Sequence, residues 1–426
     1  MALRSLLTEE QVLHIQRVFG TPVFVYDQRT LESQARQALA LPNAFGLTVR
    51  YAMKALPNRA VIQLFAGLGL HIDASSGFEA RRAMLAGVPP DKIQITAQEM
   101  PCDLDELLDS GVRFNACSLH QLRTYGGLRP GSEVSVRINP GLGTGHSNRT
   151  NAGGPSASFG IRHELGIWHE HIDEAFAIQR EYGLRIARMH THIGSGSDPE
   201  MWNHCAGLSL DIAARLPEVH TLSLGGGFKV ARMEYETSAD LQAIGRRIVE
   251  DFQAFRARNG RALKLEIEPG TFLVANAGAL VCTIIDIVDT GPQGFSFIKV
   301  DSGMTELVRP SMYGAQHPIG VVRRAMGDVR GAKREYLVAG HCCESGDVLT
   351  PEPGNPEGLQ TRTLPEAQIG DALVVGGAGA YAAAMSSKNY NSFPEAPEVL
   401  LRNDGLFTLI RKRQTLEQML ENEAVG

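Results

Sequence analysis

The chain has 426 residues, 43% of them hydrophobic and 21% charged, which excludes a small binding module and a disordered or fibrous chain. Its 41 Lys+Arg against 47 Asp+Glu give a net charge of −6. That balance leaves no basic excess for a nucleic-acid backbone or an anionic membrane surface, so neither is expected as a partner. Glycine is the outlier, at 45 residues beside only 21 prolines, a pairing that points to ordered turns and close backbone approaches rather than linkers.

Residues 1–20 carry Glu9 and Glu10 and no long apolar stretch, so they do not read as a secretory signal. No apolar run approaches the ~20 residues of a membrane span, and a cytoplasmic protein is expected. Short β-rich runs then follow at 47–53, 71–74, 93–96, 113–116, 133–138, 187–193, 221–224 and 264–267. Between them lie stretches of helical pattern such as 79–86 and 241–258. Eight βα units in sequence fit a (β/α)8 barrel of about 250 residues. The competing doubly wound sheet would need a glycine-rich turn after the first strand, where the chain instead has Lys54-Ala-Leu-Pro57. The gap from 138 to 187, rich in glycine from 141 onward, is long enough to be a functional loop.

Past Glu268 the texture changes to runs at 279–288, 295–300, 336–339 and 372–375 separated by Gly, Pro and Asp turns. The expectation is therefore α/β plus all-β: a barrel over 27–276 and a C-terminal β-sandwich or β-barrel-like domain over 277–426, with 1–26 packing on the latter. The stretch 350–359 reads as a polar linker. Six cysteines without C-x-x-C spacing are expected to be reduced thiols.

Barrel active sites lie at the C-terminal ends of the strands, and those positions carry chemistry. The first strand runs into Lys54, and a partly desolvated lysine can form Schiff bases, although a solvated strand end is the plainer reading. The sixth run ends in His190-Thr-His-Ile-Gly-Ser-Gly196. His190 and His192 share a strand face, which suggests a metal pair or one packed and one exposed ring; no metal site is expected, because no acidic or cysteine ligand shares the segment. The seventh ends in Gly225-Gly226-Gly227, whose N–H groups, with the Ser195 hydroxyl, suit a phosphate. The eighth ends in Glu266-Ile-Glu268-Pro-Gly270, two carboxylates on one side that require a cationic partner. An amine, an imidazole, a phosphate nest and a carboxylate on one rim suggest pyridoxal phosphate.

The segments YAMKA (51–55), HTHIGSGS (190–197), GGGF (225–228), EPG (268–270), RPSMYGAQH (309–317), CCESGD (342–347) and GAYAAAMSS (379–387) resemble the barrel-type, fold type III pyridoxal-phosphate decarboxylases, in their diaminopimelate decarboxylase branch. The resemblance spans nearly the whole chain. It implies a homodimer with shared active sites and decarboxylation of meso-2,6-diaminopimelate to L-lysine and carbon dioxide. It also implies that Lys54 holds pyridoxal 5'-phosphate and that His192 stacks on its ring. Ser195, Gly226, Gly227, Gly270 and Tyr381 would bind the phosphate, and Glu268 would keep the ring nitrogen protonated. Cys343 and Glu344 would reach in from the partner subunit, Cys343 as a proton donor, while Arg309 and Tyr313, with Glu344 and Tyr381, would bind substrate. Taken singly, Arg309 is also readable as an interface ion pair and Cys343 as a small buried hydrophobe.

Three positions depart from the family pattern. Thr271 stands where the family has an arginine that helps bind the distal carboxylate, a loss worth ~1.5–3 kcal/mol. Lys388 is inserted in MSSKNYN and would restore a positive charge, as would an arginine of the 141–162 loop. Phe393 replaces an arginine. These departures keep open a related amino acid, D-lysine-like or D-ornithine-like, or an amino-acid conjugate as substrate. A catalytically silent paralogue and a metal-dependent barrel hydrolase are the more distant readings.

Overall fold

In a computed structural model, residues 6–141, 166–192, 194, 199–324 and 332–424 are described. Ser195 and nearly all of the 141–162 loop lie outside them. The chain divides into two compact units, one of 32–230 and 237–273, the other of 1–31, 231–236 and 274–426.

The first unit is a closed eight-stranded parallel barrel. Its strands are Leu47–Ala52, His71–Ala74, Ile93–Ile95, Arg113–Ala116, Glu133–Asn139, Arg185–His190, Thr221–Ser223 and Lys264–Ile267, each paired with the next and the last with the first. Closure is set by Leu265 opposite Leu47 and by Asn115 opposite Ser135. These strands are buried on both faces, which is why they read as short continuous apolar runs. The helices between them begin on side-chain caps: Asn58, Ser76, Ser118 and Asp240 each accept an N–H of the first turn. Gly260 in the left-handed conformation ends the helix Leu241–Asn259.

One buried charge set inside this apolar barrel is matched within the fold. Glu266 accepts from Arg50 Nη2 at 3.2 Å and Nε at 3.3 Å, and from Arg188. Arg188 also donates to Gln94 at 2.8 Å. Burial alone would raise the Glu266 carboxyl, but the two guanidiniums hold it below its ordinary value.

The second unit is a nine-stranded mixed sheet. Its path runs Arg362–Pro365, Lys333–Ala339, Ser296–Val300, Gly278–Asp289, Val23–Asp27, Glu398–Leu401, Phe407–Arg411, and Ala372–Val375 bridges Gly278–Asp289 to Ile319–Val322. The core under it contains Val12, Ile15, Val23, Val25, Ala279, Val281, Val374 and Val399. Val12 and Ile15 come from the helix Glu9–Phe19, which opens on a Thr8–Gln11 capping box. The expected linker at 350–359 is instead a small antiparallel pair, Pro351–Glu352 with Asn355–Leu359. Its tight turn is made by Gly354 at φ +74° and by Asn355, whose amide donates to Glu352 at 3.0 Å. Among the described residues no helix is long and apolar enough to cross a membrane.

Candidate active site

The barrel strands carry a set of polar side chains to one rim. Lys54 sits on the 3-10 turn Met53–Ala55 that follows the first strand, and its side chain is exposed. Its ammonium acts electrostatically on Asp73, Glu79 and His192. Asp73 is buried, and burial together with the Glu268 charge pushes its carboxyl well above the ordinary range. Glu79 accepts the Ser75 N–H at 2.7 Å, and burial raises its carboxyl too.

Opposite charge management governs Glu268. This buried carboxylate accepts from His190 Nε2 at 2.8 Å and from Ser223 Oγ at 2.9 Å. Burial alone would raise it, yet the His190 interaction and the Ser223 hydroxyl hold the carboxyl down to about 2. Burial lowers His190 as well, and its Nδ1 is buried with no partner among the described residues. Glu268 is thus ionised at neutral pH inside protein, the state required to hold a proton on a neighbouring basic nitrogen.

The glycine turn closes on the same residues. Gly225 has φ +67° and Gly227 φ +93°. A Cβ on Gly225 would meet His192 Nδ1 at 2.5 Å and the Thr191 carbonyl at 2.8 Å, and one on Gly226 would strike the Glu268 carbonyl. Only glycine fits. The Gly226 N–H donates to His192 Nδ1 at 3.3 Å, and the Trp202 indole N–H donates to the Gly226 carbonyl at 3.1 Å. His192 is neutral: burial, then Arg137 and Lys54, push it well below its usual value. At Gly270 a Cβ would come within 3.2 Å of the Ala52 carbonyl.

Together these features fit a planar, phosphorylated pyridine aldehyde. An amine stands at a strand end, a glycine turn that rejects any side chain supplies N–H groups, and an ionised buried carboxylate lies beside it. Arg137 adds two guanidine nitrogens, Nε and Nη2, that are buried with no partner among the described residues. Among the described residues no group of three His, Cys, Asp or Glu is placed to hold a metal ion.

Asp73, Arg137, His190 and Ser223 belong to this rim without having been assigned a role from sequence. Asp73 and Arg137 stand in the sequence as single charges within apolar strands, and His190 stands there as a companion of His192. Ser223 gave no signal.

The remaining expected residues lie in the second unit. Arg309 and Tyr313 share one short helix, with the guanidinium 5.9 Å from the ring centroid. Arg309 Nε is buried with no partner among the described residues, and the Tyr381 and Tyr313 hydroxyls act on its charge. Tyr381 has φ +53°, a conformation that costs a non-glycine residue about 1–3 kcal/mol and is typical of functional positions. Cys343 and Glu344 are exposed on the 341–347 turn, so Cys343 is not a packed apolar side chain. The Cys343 N–H donates to Asn391 Oδ1 at 2.9 Å and the Cys342 N–H to Asp347 at 2.9 Å, fixing that turn. Lys388 is committed to Glu395 at 2.8 Å, and Phe393 stacks on His341 at 3.6 Å.

Comparison with known proteins is consistent with this chemistry. Residues 29–275 match the family model described as pyridoxal-dependent decarboxylase, pyridoxal binding domain. A diaminopimelate decarboxylase of Escherichia coli (strain K12) is 36% identical over 424 residues, covering 98% of this chain and 97% of the relative. One of Streptomyces coelicolor is 36% identical over 416 residues, covering 95% and 89%. A diaminopimelate decarboxylase crystal structure superposes with TM-score 0.88 at 35% identity, covering 98% and 96%. The Helicobacter pylori enzyme complexed with L-lysine gives 0.82 at 26% identity, covering 96% and 98%.

Proposed function

This chain belongs to the pyridoxal-dependent decarboxylases, in their diaminopimelate decarboxylase family, and on that premise we propose that it removes the carboxylate from the D-centre of meso-2,6-diaminopimelate to give L-lysine and carbon dioxide. The observation that carries the reading is Glu268, ionised and buried between His190 and Ser223 beside the glycine turn.

When bound, pyridoxal phosphate supplies the electron sink that takes up the pair left as carbon dioxide departs. The chain's own residues do the rest. Lys54 would hold the group through its amine and give up that place to the amine of the substrate. Glu268 holds a proton at the ring nitrogen and so keeps the sink strong. His192 would lie against the ring, while Gly226, Gly227, Gly270, Ser195 and Tyr381 would bind the phosphate. Arg309, Tyr313, Glu344 and Tyr381 hold the substrate, and the Cys343 thiol returns a proton to the product carbon.

The barrel unit, 32–230 and 237–273, is the cofactor-binding domain, and 1–31, 231–236 and 274–426 form the second domain. Two copies form a cytoplasmic homodimer in which Cys343 and Glu344 serve the partner's site, in keeping with their exposure in a single chain.

Turnover followed by carbon dioxide release tests this directly: kcat/KM for meso-diaminopimelate should exceed that for D-lysine and D-ornithine by at least about 100-fold, roughly the 2.7 kcal/mol of one good charge-assisted contact. An equal or reversed preference overturns the substrate. It would favour a related amino acid or conjugate, the reading that Thr271 and the Glu395-bound Lys388 support.

A further inference from the structure

A substrate with a distal carboxylate needs a cation that position 271, a threonine, does not supply, and Lys388 is occupied by Glu395. The second unit contains another cation with donors to spare. Arg232 lies in the 231–236 turn, where its own N–H and that of Met233 donate to Glu236 Oε2 at 2.7 and 2.9 Å. The Glu236 carboxylate thus accepts from backbone and not from the guanidinium, although its charge acts on both Arg232 and Arg309. Arg232 Nε–H donates to the Gly377 carbonyl at 3.0 Å. Gly377 has φ +63°, and a Cβ there would lie 3.0 Å from the arginine's Cγ and Cδ, so glycine makes room for the stem. The preceding carbonyl, Gly376, accepts from His317 Nδ1–H at 3.0 Å.

Arg232 and His317 therefore hang from adjacent carbonyls. Arg232 Nη2, Arg309 Nε and His317 Nε2 are each buried with no partner among the described residues. Burial, reinforced by the Arg309 charge, pushes the Arg232 guanidinium down to about 9, and burial keeps His317 neutral. Two buried guanidiniums, the Arg309 charge acting on Arg232, with unused donors and no carboxylate of the described chain on those donors, form a site that wants an anion. A carboxylate is the shape that two arginine forks hold best.

We propose that Arg232 is a specificity-determining residue that grips the substrate's distal carboxylate together with Arg309, in place of the arginine absent at 271. The proposal rests on the reading that Arg309 holds the distal end. It assigns substrate discrimination to a turn that no family motif quoted above contains.

The test compares the holoenzyme with its Arg232→Gln, Arg232→Lys and Arg309→Gln variants on meso-diaminopimelate and on D-lysine, which lacks the distal carboxylate. Arg232→Gln should raise KM for meso-diaminopimelate at least 10-fold with kcat changed less than threefold, and should cut the ratio of kcat/KM for the two substrates at least 10-fold. Arg232→Lys should recover part of that ratio, because a point charge remains. If Arg309→Gln raises KM and Arg232→Gln does not, the proposal fails and the underlying reading stands; if neither does, the reading of Arg309 fails as well. Arg232 also walls a cavity of about 520 Å³ with Ile319, Lys333, Arg362 and Leu364. An equal loss on both substrates, as expected of a structural residue or of an effector anion in that cavity, overturns the proposal.

Discussion

Replacing Glu268 with glutamine removes one charge and almost no volume. The carboxyl's displacement from 4.5 to about 2 corresponds, at 1.36 kcal/mol per pH unit, to about 3 kcal/mol of preference for the ionised form. An ionised carboxylate can then offer a protonated ring nitrogen a charge-assisted hydrogen bond of ~1.5–3 kcal/mol. If it is lost from the decarboxylation transition state, kcat falls by roughly 100-fold. Because the folded value is depressed, the contribution is fully present above pH 4.5 and fades only as pH falls through about 2. Wild-type kcat should therefore show no acid limb from Glu268 between pH 5 and 8. The assay is carbon dioxide release under saturating substrate across that range, with holoenzyme content checked by absorbance. A Glu268→Gln variant within threefold of wild type would refute the role. An acid limb near pH 6 that vanishes in the variant would refute the ionised state from which the role is argued.

Two further substitutions probe the same framework. Gly226→Ala drives a methyl into the Glu268 carbonyl and should weaken cofactor retention by about tenfold or more, an effect of ~1.4 kcal/mol; equilibrium dialysis showing unchanged affinity would remove the glycine turn from the phosphate site. Glu306 is buried, accepts from Ser302 and Thr305 hydroxyls at 2.9 and 2.6 Å, and is pushed up by burial to about 7. Its folded value lies above its ordinary 4.5, so its contribution is fully present below pH 4.5 and is lost as pH rises through 7. Glu306→Gln should accordingly be the more stable protein at pH 8, by up to about 3 kcal/mol, with the gap closing near pH 5. Urea midpoints that differ equally at both pH values would contradict that sign.

The barrel was legible in the sequence because parallel strands buried on both faces leave continuous apolar runs, and all eight are where those runs lie. Strand Val23–Asp27 is not legible because its partners, Gly278–Asp289 and Glu398–Leu401, are hundreds of residues away, and nothing local declares the pairing. Asn355–Leu359 contains proline and glycine and is paired only through a tight turn, so it resembled linker. At the site, positions with forced chemistry were readable: a lysine past a strand, three glycines, two glutamates in an apolar run. The partners that set their protonation were not. His190 and Ser223 are ordinary strand residues whose importance comes from meeting Glu268 across the barrel, a fact of closure rather than of spacing.

Closure also separates two kinds of buried charge. Arg50 and Arg188 share Glu266 in the barrel, so their electrostatics are settled within the fold. Their removal should act on stability, since breaking such a set leaves an uncompensated ion. Arg137, Arg232 and Arg309 keep buried donors without a partner among the described residues. A fold that retains such groups carries their desolvation cost in the free protein and recovers it when an anion arrives, so binding is favoured most for ligands whose carboxylates or phosphates reach those donors. The contrast gives the same residue type opposite signatures. Substituting Arg50 should lower the unfolding midpoint and leave substrate discrimination intact, whereas substituting Arg232 should shift discrimination with little loss of stability.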